Sequence, residues 1–207
     1  LSEIRRQRVD WQREASVAFA THRTAEGLAA YREHGDIRFS ESREDARGEI
    51  VRDYLADRDE RPDGTRVAMA HRRADVRAIN EAIRTELQDR GELARVREAD
   101  SLAPGDVAQD VDHRREGPGR ALAFQTNDGK RDFATGDRIV FLENSRDLGV
   151  KNGMLGTVQA VEPHAIQVRL DGKASDDPRT VNVPMNDYQA VDHGYATTIH
   201  KNQGATV

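Results

Sequence analysis

The chain has 207 residues, of which 36% are hydrophobic and 33% are charged, so it can fold into one or two domains with a modest core. Its 32 basic and 37 acidic residues give a net charge of −5, which excludes a uniformly basic surface and requires any DNA contact to be local. It contains no cysteine, hence no disulfide or thiolate metal site, and no apolar run reaches the roughly 18 residues of a membrane span. We therefore expect a cytoplasmic protein without membrane insertion.

The amino-terminal part is predicted to be mainly helical. Apolar residues at three- and four-residue steps predict a helix over residues 8–23, and Thr24 is expected to cap a second helix over 25–34. Alternating apolar and polar residues in 36–39 predict a short strand. Ser42, with an aspartate three residues later, resembles the capping box that opens a further helix.

A strand followed at once by a helix is predicted in the next part of the chain. The compact apolar run 65–70 indicates a buried strand, and apolar residues at helical spacing predict a helix over 75–90 that Gly91 ends. This order is the unit of a parallel α/β layer. The polar stretch that follows, residues 92–134, is predicted to be a mobile insertion.

Short alternating runs dominate the last third of the chain. Turn sequences separate these runs at short intervals, which favours a small antiparallel barrel over βαβ units. A last run, 194–199, is expected to return to the α/β layer. The predicted strands before it are residues 138–142, 156–161, 165–170 and 179–183.

The carboxyl-terminal peptide, residues 196–207, carries the most informative motif. It contains TIHKNQG, which resembles the T-[IV]-H-K-x-Q-G motif of superfamily 1 DNA helicases. The resemblance implies that Thr198, His200 and Lys201 contact single-stranded DNA. It also implies that Gln203 and Gly204 lie where DNA binding is coupled to the nucleotide phosphates. A hydroxyl and an imidazole can donate to phosphate oxygens, and a glycine lets the backbone approach a phosphate closely.

Three upstream peptides resemble the same helicases, in the same order. Residues 136–158 resemble the G-D-x-[IV]…N…G-V-x-N-G-x-x-G-x-V signature of RecD-like helicases, whose glycines we expect to serve turns. The peptide 1–7 resembles L-x-x-x-x-R-Q, which implies that Arg6 reaches the γ-phosphate of ATP, with a solvated arginine pair as the alternative. His71 and Arg72 stand at the turn that corresponds to a DNA-facing strand end, although His71 can equally be a cap or surface residue.

Nearly the whole chain resembles the helicase part of Ti-plasmid-type conjugal transfer relaxases, as the peptides DWQREA and NDYQAVDHGYA illustrate. That family implies a DNA-nicking relaxase joined to a RecD-like 5′-to-3′ helicase that uses ATP and Mg²⁺. The expected fold class is α/β, namely a second RecA-like motor domain with flanking helices and an inserted small SH3-like β-barrel. The expected boundaries are 1–145 for the first part of the motor domain, 146–188 for the barrel and 189–207 for the return.

The expected function is to contribute single-stranded DNA contacts and part of the ATP-phosphate contacts of such a helicase. These residues contain no G-x-x-x-x-G-K-[ST] loop, so we expect the chain alone to be inactive and to bind no ATP, Mg²⁺ or other metal. Its partners would be the first motor domain and the relaxase domain of the same polypeptide. Two alternatives are open: a protein-interaction module recognised by the coupling protein of a type IV secretion system, and a RecD-type DNA repair helicase domain.

Overall fold

The chain divides into two compact units, residues 1–46 and 47–207. The computed structural model describes residues 7, 9–96, 120–172 and 179–199. Among the helices in these ranges, none combines the length and the apolar character that a membrane crossing requires.

The first unit is built on two helices, α1 (Asp10–Ala20) and α2 (Thr24–Glu33), as the apolar spacing predicts. Ala18 of α1 is buried. Gly27 of α2 leaves space for the ring of Phe19, because a Cβ at residue 27 would lie 2.7 Å from Phe19 Cε1. Small residues on both helices therefore allow the close approach of α1 and α2.

Two local predictions in this unit are wrong. Residues 36–39 form no strand, and Phe39 is 84% exposed. Alternation indicates a strand only where a neighbouring strand can pair, and the described residues offer none at this position. Thr24 is the first residue of α2 and not its cap, since Arg23 occupies the N-cap position without a side-chain hydrogen bond.

The third helix, α3 (Arg43–Glu60), starts as the capping box predicts. The Oγ atom of Ser42 accepts the backbone N–H of Asp45 at 3.1 Å, which satisfies one of the free donors in the first helical turn. Further along this helix, Tyr54 and Leu55 are buried in the core of the second unit.

The second unit contains one more helix and nine strands in its described part. Helix α4 (Arg73–Asp89) directly follows strand β1 (Ala68–Ala70), in the predicted order. The other strands are β2 (Ala121–Thr126), β3 (Gly129–Ala134), β4 (Arg138–Phe141), β5 (Leu155–Glu162), β6 (Ala165–Leu170), β7 (Thr180–Pro184), β8 (Val191–His193) and β9 (Ala196–Thr198).

Strands β1 and β9 form a parallel pair, so the predicted return of the last strand to the α/β layer is confirmed. Helix α4 contributes Ile79, Ile83 and Leu87 to the core beneath this pair, and each is at most 1% exposed. Their spacing of four residues places them on one face of the helix. The strand, the helix and the parallel strand are the α/β layer of this unit.

Five antiparallel strands form an open sheet in the order β7-β6-β5-β4-β8. Strands β7 and β8 are its two edges, so the sheet does not close within the described residues and the predicted SH3-like barrel is not confirmed. The sheet also extends beyond the predicted range 146–188, because β4 and β8 lie outside it. Regular turn spacing predicts antiparallel neighbours, but it does not determine whether the first and last strands meet.

Strands β2 and β3 form a hairpin that the sequence reading did not predict. They lie in the stretch 92–134, which was expected to be a mobile insertion. The residues of the hairpin that face the core, Leu122, Phe124 and Phe133, share one hydrophobic cluster with the five-stranded sheet. Polar residues on the other face made the segment resemble an insertion, although a half-buried hairpin requires only one apolar face.

The glycines of the Asn-Gly signature have two different structural roles. Gly149 and Gly153 adopt φ angles of 63° and 87°, so they serve turns as predicted. Gly156 instead allows β5 and β6 to approach closely. A Cβ at residue 156 would lie 2.6 Å from Val168 Cγ1 and 2.7 Å from the carbonyl oxygen of Arg169.

Candidate nucleic-acid interface

The carboxyl ends of β1 and β9 lie side by side at one edge of the parallel pair. Ala70, the last residue of β1, is in register with Thr198, the last residue of β9. His71 and Arg72 follow β1 directly and are exposed, while Thr198 is half-buried. Ligands of open α/β sheets bind at the carboxyl ends of the strands. The structure therefore brings three of the predicted DNA-contacting residues to the edge where a ligand is expected.

The start of α4 adds positive charge to the same edge. Arg72 occupies the N-cap of α4, and no side chain caps its first turn among the described residues. Arg73 and Arg77 lie one turn apart on the helix and line a cleft of about 260 Å³ together with Thr198. Backbone N–H groups and three arginines at a helix start favour the binding of an anion such as a phosphate.

Three carboxylates line this cleft, and two of them pair with arginines. Asp192 accepts from Nε of Arg131 at 3.1 Å, and Asp128 lies 3.8 Å from Arg77, whereas Glu143 accepts from Nδ2 of Asn127 at 3.3 Å. No carboxylate in the described ranges lies within ion-pair distance of Arg73. Arg73 therefore supplies a positive charge at this edge that no carboxylate of the described ranges pairs.

A buried amide fixes the start of β9. The Nδ2 atom of Asn80 donates to the carbonyl oxygens of His193 and Ala196, at 3.1 Å each, and its Oδ1 atom accepts the N–H of Ala196 at 2.7 Å. Gly194 lies between His193 and Ala196 in the sequence, and a Cβ at residue 194 would lie 2.4 Å from the carbonyl carbon of Ile139. The connection from β8 to β9 is therefore held by α4 on one side and packed against β4 on the other.

A buried carboxylate makes a second connection to the same strand. Asp137, which is 0% exposed, accepts the hydroxyl of Tyr195 at 2.6 Å, the N–H of Ala134 at 2.7 Å and Nε of Arg84 at 3.1 Å. Burial raises the pKa of Tyr195, and the neighbouring Asp137 charge raises that pKa further. Tyr195 is therefore a hydrogen-bond donor throughout the neutral pH range.

A neutral histidine connects the β2–β3 hairpin to the same region. The Nε2 atom of His193 lies 2.9 Å from the carbonyl oxygen of Asp132, and its ring centroid lies 5.2 Å from that of Phe133. Burial lowers the pKa of His193 below its usual value of 6.5. We therefore assign it as neutral, with Nε2 donating to the hairpin.

The remaining predicted site residues, Arg6, His200, Lys201, Gln203 and Gly204, lie outside the described residues, so their predicted roles stay predictions. The sequence reading did not single out Asn80, Asp137 or Tyr195. Two features of the sequence could have pointed to the first two of these residues. One is an asparagine in the middle of a strongly apolar helix face, and the other is the aspartate of the Gly-Asp signature. Within the described ranges, no group of three or more histidine or acidic residues could hold a metal ion.

No protein-family model matches the chain. Its fold is similar to that of a Pif1 helicase from Bacteroides, solved in complex with ADP-AlF3 and single-stranded DNA. The two are 20% identical, with a TM-score of 0.53, over the whole of this chain and 43% of that one. The chain therefore shares the α/β fold of part of that helicase.

The chain also has relatives among conjugal transfer proteins. Over all 207 of its residues it is 37% identical to the conjugal transfer protein TraA of Agrobacterium fabrum and 36% identical to a probable TraA of Sinorhizobium fredii. It spans 16% of the length of each of these relatives. The chain is thus related to a segment of TraA-type conjugal transfer proteins, and the predicted resemblance is confirmed.

Proposed function

We propose that this chain provides part of the single-stranded DNA track of a second RecA-like motor domain, in an ATP-dependent 5′-to-3′ helicase that belongs to a conjugal relaxase. The observation that carries the proposal is the register of β1 and β9, which sets Thr198 beside the strand end that leads into His71 and Arg72. The arginine-rich start of α4 lies at the same edge.

The chemistry of this edge suits a sugar-phosphate backbone. The hydroxyl of Thr198 and the imidazole of His71 can donate to phosphate oxygens, and the guanidinium of Arg72 is permanently charged. Such contacts fix the position of a strand without reading its bases. The proposed DNA binding is therefore independent of sequence and dependent on salt.

In this proposal the nucleotide contacts come from residues outside the described ranges. Arg6 would reach the γ-phosphate, and Gln203 with Gly204 would connect the DNA track to the nucleotide. ATP and Mg²⁺ would be held mainly by the first motor domain of the parent protein. The nucleotide analogue and single-stranded DNA in the Pif1 complex support this assignment by similarity of fold.

We also propose that the open five-stranded sheet and the β2–β3 hairpin together are the counterpart of the SH3-like insertion of RecD-like helicases. The support is their single shared core, which includes Phe124 and Phe133 from the hairpin and Ile139, Val158 and Ile166 from the sheet. Two β layers that pack face to face bury their inner side chains in one shared core.

Binding of a fluorescent oligo-dT strand to the chain, followed by anisotropy at several salt concentrations, tests the proposal. We expect measurable affinity with a log–log salt slope of about −0.7 for each phosphate contacted. Arg72→Gln should weaken binding several-fold and reduce the slope by about 0.7, because one phosphate contact is lost.

Arg90→Gln is the matched control for Arg72→Gln. It removes the same charge from the other end of α4, about 27 Å away along the helix, where Arg90 pairs with Glu86 and Asp59. If both variants weaken binding equally, only net charge matters and the proposed edge is wrong. Absence of any salt-dependent binding by the unmodified chain would contradict the proposed DNA track itself.

A further inference from the structure

Helix α4 holds the start of β9 at two points from a single face. Asn80 binds the backbone of Ala196 directly, whereas Arg84, one turn later, reaches Tyr195 through the carboxylate of Asp137. Arg73 and Arg77 lie on the continuation of this face toward the helix start. The helix that presents arginines to the candidate DNA edge therefore also holds the strand that ends in Thr198.

Strand β9 depends on such support because it is short. It has three residues, and β1, its partner, also has three. Pairs of such short strands are weak on their own. The N–H of Ala68 donates to the carbonyl oxygen of Tyr195 at 2.8 Å, so the register of the two strands begins at Tyr195. A displacement of Tyr195 would shift the position of Thr198 at the other end of β9.

The network around Asp137 specifies one position for Tyr195. The carboxylate is fully buried and receives three donors, from Tyr195, Arg84 and the backbone of Ala134. The side chain of Arg84 is only 12% exposed, and its Nη2 atom has no hydrogen-bond partner in the described part of the chain. A buried ion pair of this kind adds little net stability but requires a defined geometry.

The same network connects β9 to the five-stranded sheet. Asp137 immediately precedes β4, and its carbonyl oxygen accepts the N–H of Val158 in β5 at 2.9 Å. The N–H of Gly194 donates to the carbonyl oxygen of Arg138 in β4 at 2.8 Å. The sheet therefore contacts the segment before β9 at two points, through Asp137 to Tyr195 and through Arg138 to Gly194.

We infer that Asp137 and Tyr195 are positioning residues, which set the place of Thr198 on the DNA edge and connect that edge to the five-stranded sheet. The inference rests on the proposed DNA track. In this inference neither side chain contacts the DNA strand, and each acts through the backbone of β9.

Tyr195→Phe is the first test, because it removes one hydroxyl and keeps the buried ring. Tyr188→Phe is its matched control, since the Tyr188 hydroxyl also makes a 2.6 Å hydrogen bond, to the carbonyl oxygen of Glu143. We expect Tyr195→Phe to weaken oligo-dT binding about five- to tenfold. Its salt slope should equal that of the unmodified chain, because the Thr198 hydroxyl is uncharged and its contact with a phosphate releases no counterion. Tyr188→Phe should match the unmodified chain in both respects.

The affinity of the folded molecules separates positioning from a general loss of stability. A variant that is merely less stable has fewer folded molecules, but each folded molecule keeps the same phosphate contacts and the same affinity. Urea unfolding of each variant gives the folded fraction, by which the affinities are corrected. The paired variant Asp137→Leu with Arg84→Met replaces the buried ions by apolar groups and remains informative should Tyr195→Phe fail to fold.

We expect the paired variant to show the same reduced corrected affinity as Tyr195→Phe. If the unmodified chain binds oligo-dT and both variants keep its corrected affinity, the positioning role is overturned while the proposed function stands. If the unmodified chain does not bind, the proposed function fails, and this inference fails with it.

Discussion

Replacement of Asn80 by aspartate is the sharpest test of how β9 is held. The change preserves the shape of a side chain that is only 5% exposed. It replaces the Nδ2 donor by an oxygen that would face the carbonyl oxygens of His193 and Ala196, each 3.1 Å from Nδ2. Leaving a buried polar group without its partner costs about 1–3 kcal/mol. With two carbonyls affected, we expect a loss of about 2–5 kcal/mol in the free energy of unfolding.

Urea unfolding at neutral pH, followed by circular dichroism, measures this loss. Asn144→Asp is the control, because the Oδ1 atom of exposed Asn144 only accepts, from the N–H of Asn152 at 2.8 Å. A carboxylate keeps that contact, so the control should change stability by no more than about 0.5 kcal/mol. Similar losses in the two variants, or a loss below about 1 kcal/mol for Asn80→Asp, would refute the argument that the two carbonyls need a donor.

Two further predictions concern His193 and Gly194. Because burial lowers the pKa of His193 below 6.5, the unfolded chain binds more protons than the folded chain between these two pKa values. The contribution of His193 to stability should be complete above pH 6.5 and decline as the pH falls toward the pKa of the folded state. Urea unfolding at several pH values should show that the free energy of unfolding depends less steeply on pH in His193→Gln than in the unmodified chain. Equal pH dependence in the two proteins would contradict this prediction. Gly194→Ala should destabilise by about 1–3 kcal/mol or more, because its Cβ would lie 2.4 Å from backbone. In Gly48→Ala the new Cβ would meet nothing closer than Arg52 Nη1 at 3.9 Å, so this helical control should gain about 0.5–1 kcal/mol; a loss in both would contradict the steric argument.

The elements that the sequence predicted well are those with a strong local period. Ile79, Ile83 and Leu87 recur every four residues, and this spacing alone placed α4 to within two residues of its observed ends. The strand at residues 165–170 was located with the same bounds as β6. In each case the signal that predicts the element lies within one segment.

The elements that were missed depend on pairing between distant segments. Residues 36–39 alternate between apolar and polar, but they have no partner strand among the described residues and form no strand. The β2–β3 hairpin, in contrast, is ordered because Arg131 binds Asp192 and the carbonyl of Asp132 meets His193. Each of these contacts joins residues that are 61 positions apart in the sequence, so no local pattern predicts it.

The same distinction applies to the candidate site. Motifs locate His71, Arg72 and Thr198 of the proposed site, and the structure places these residues at the carboxyl ends of β1 and β9, where ligands of open α/β sheets bind. The residues that hold those strand ends, Asn80 and Asp137, contact partners 116 and 58 residues away in sequence. A mutational survey guided by motifs alone would thus reduce DNA contacts one at a time. Substitution of Asn80 or Asp137 would instead displace the whole of β9, which is why we expect these two positions to affect stability and DNA affinity together.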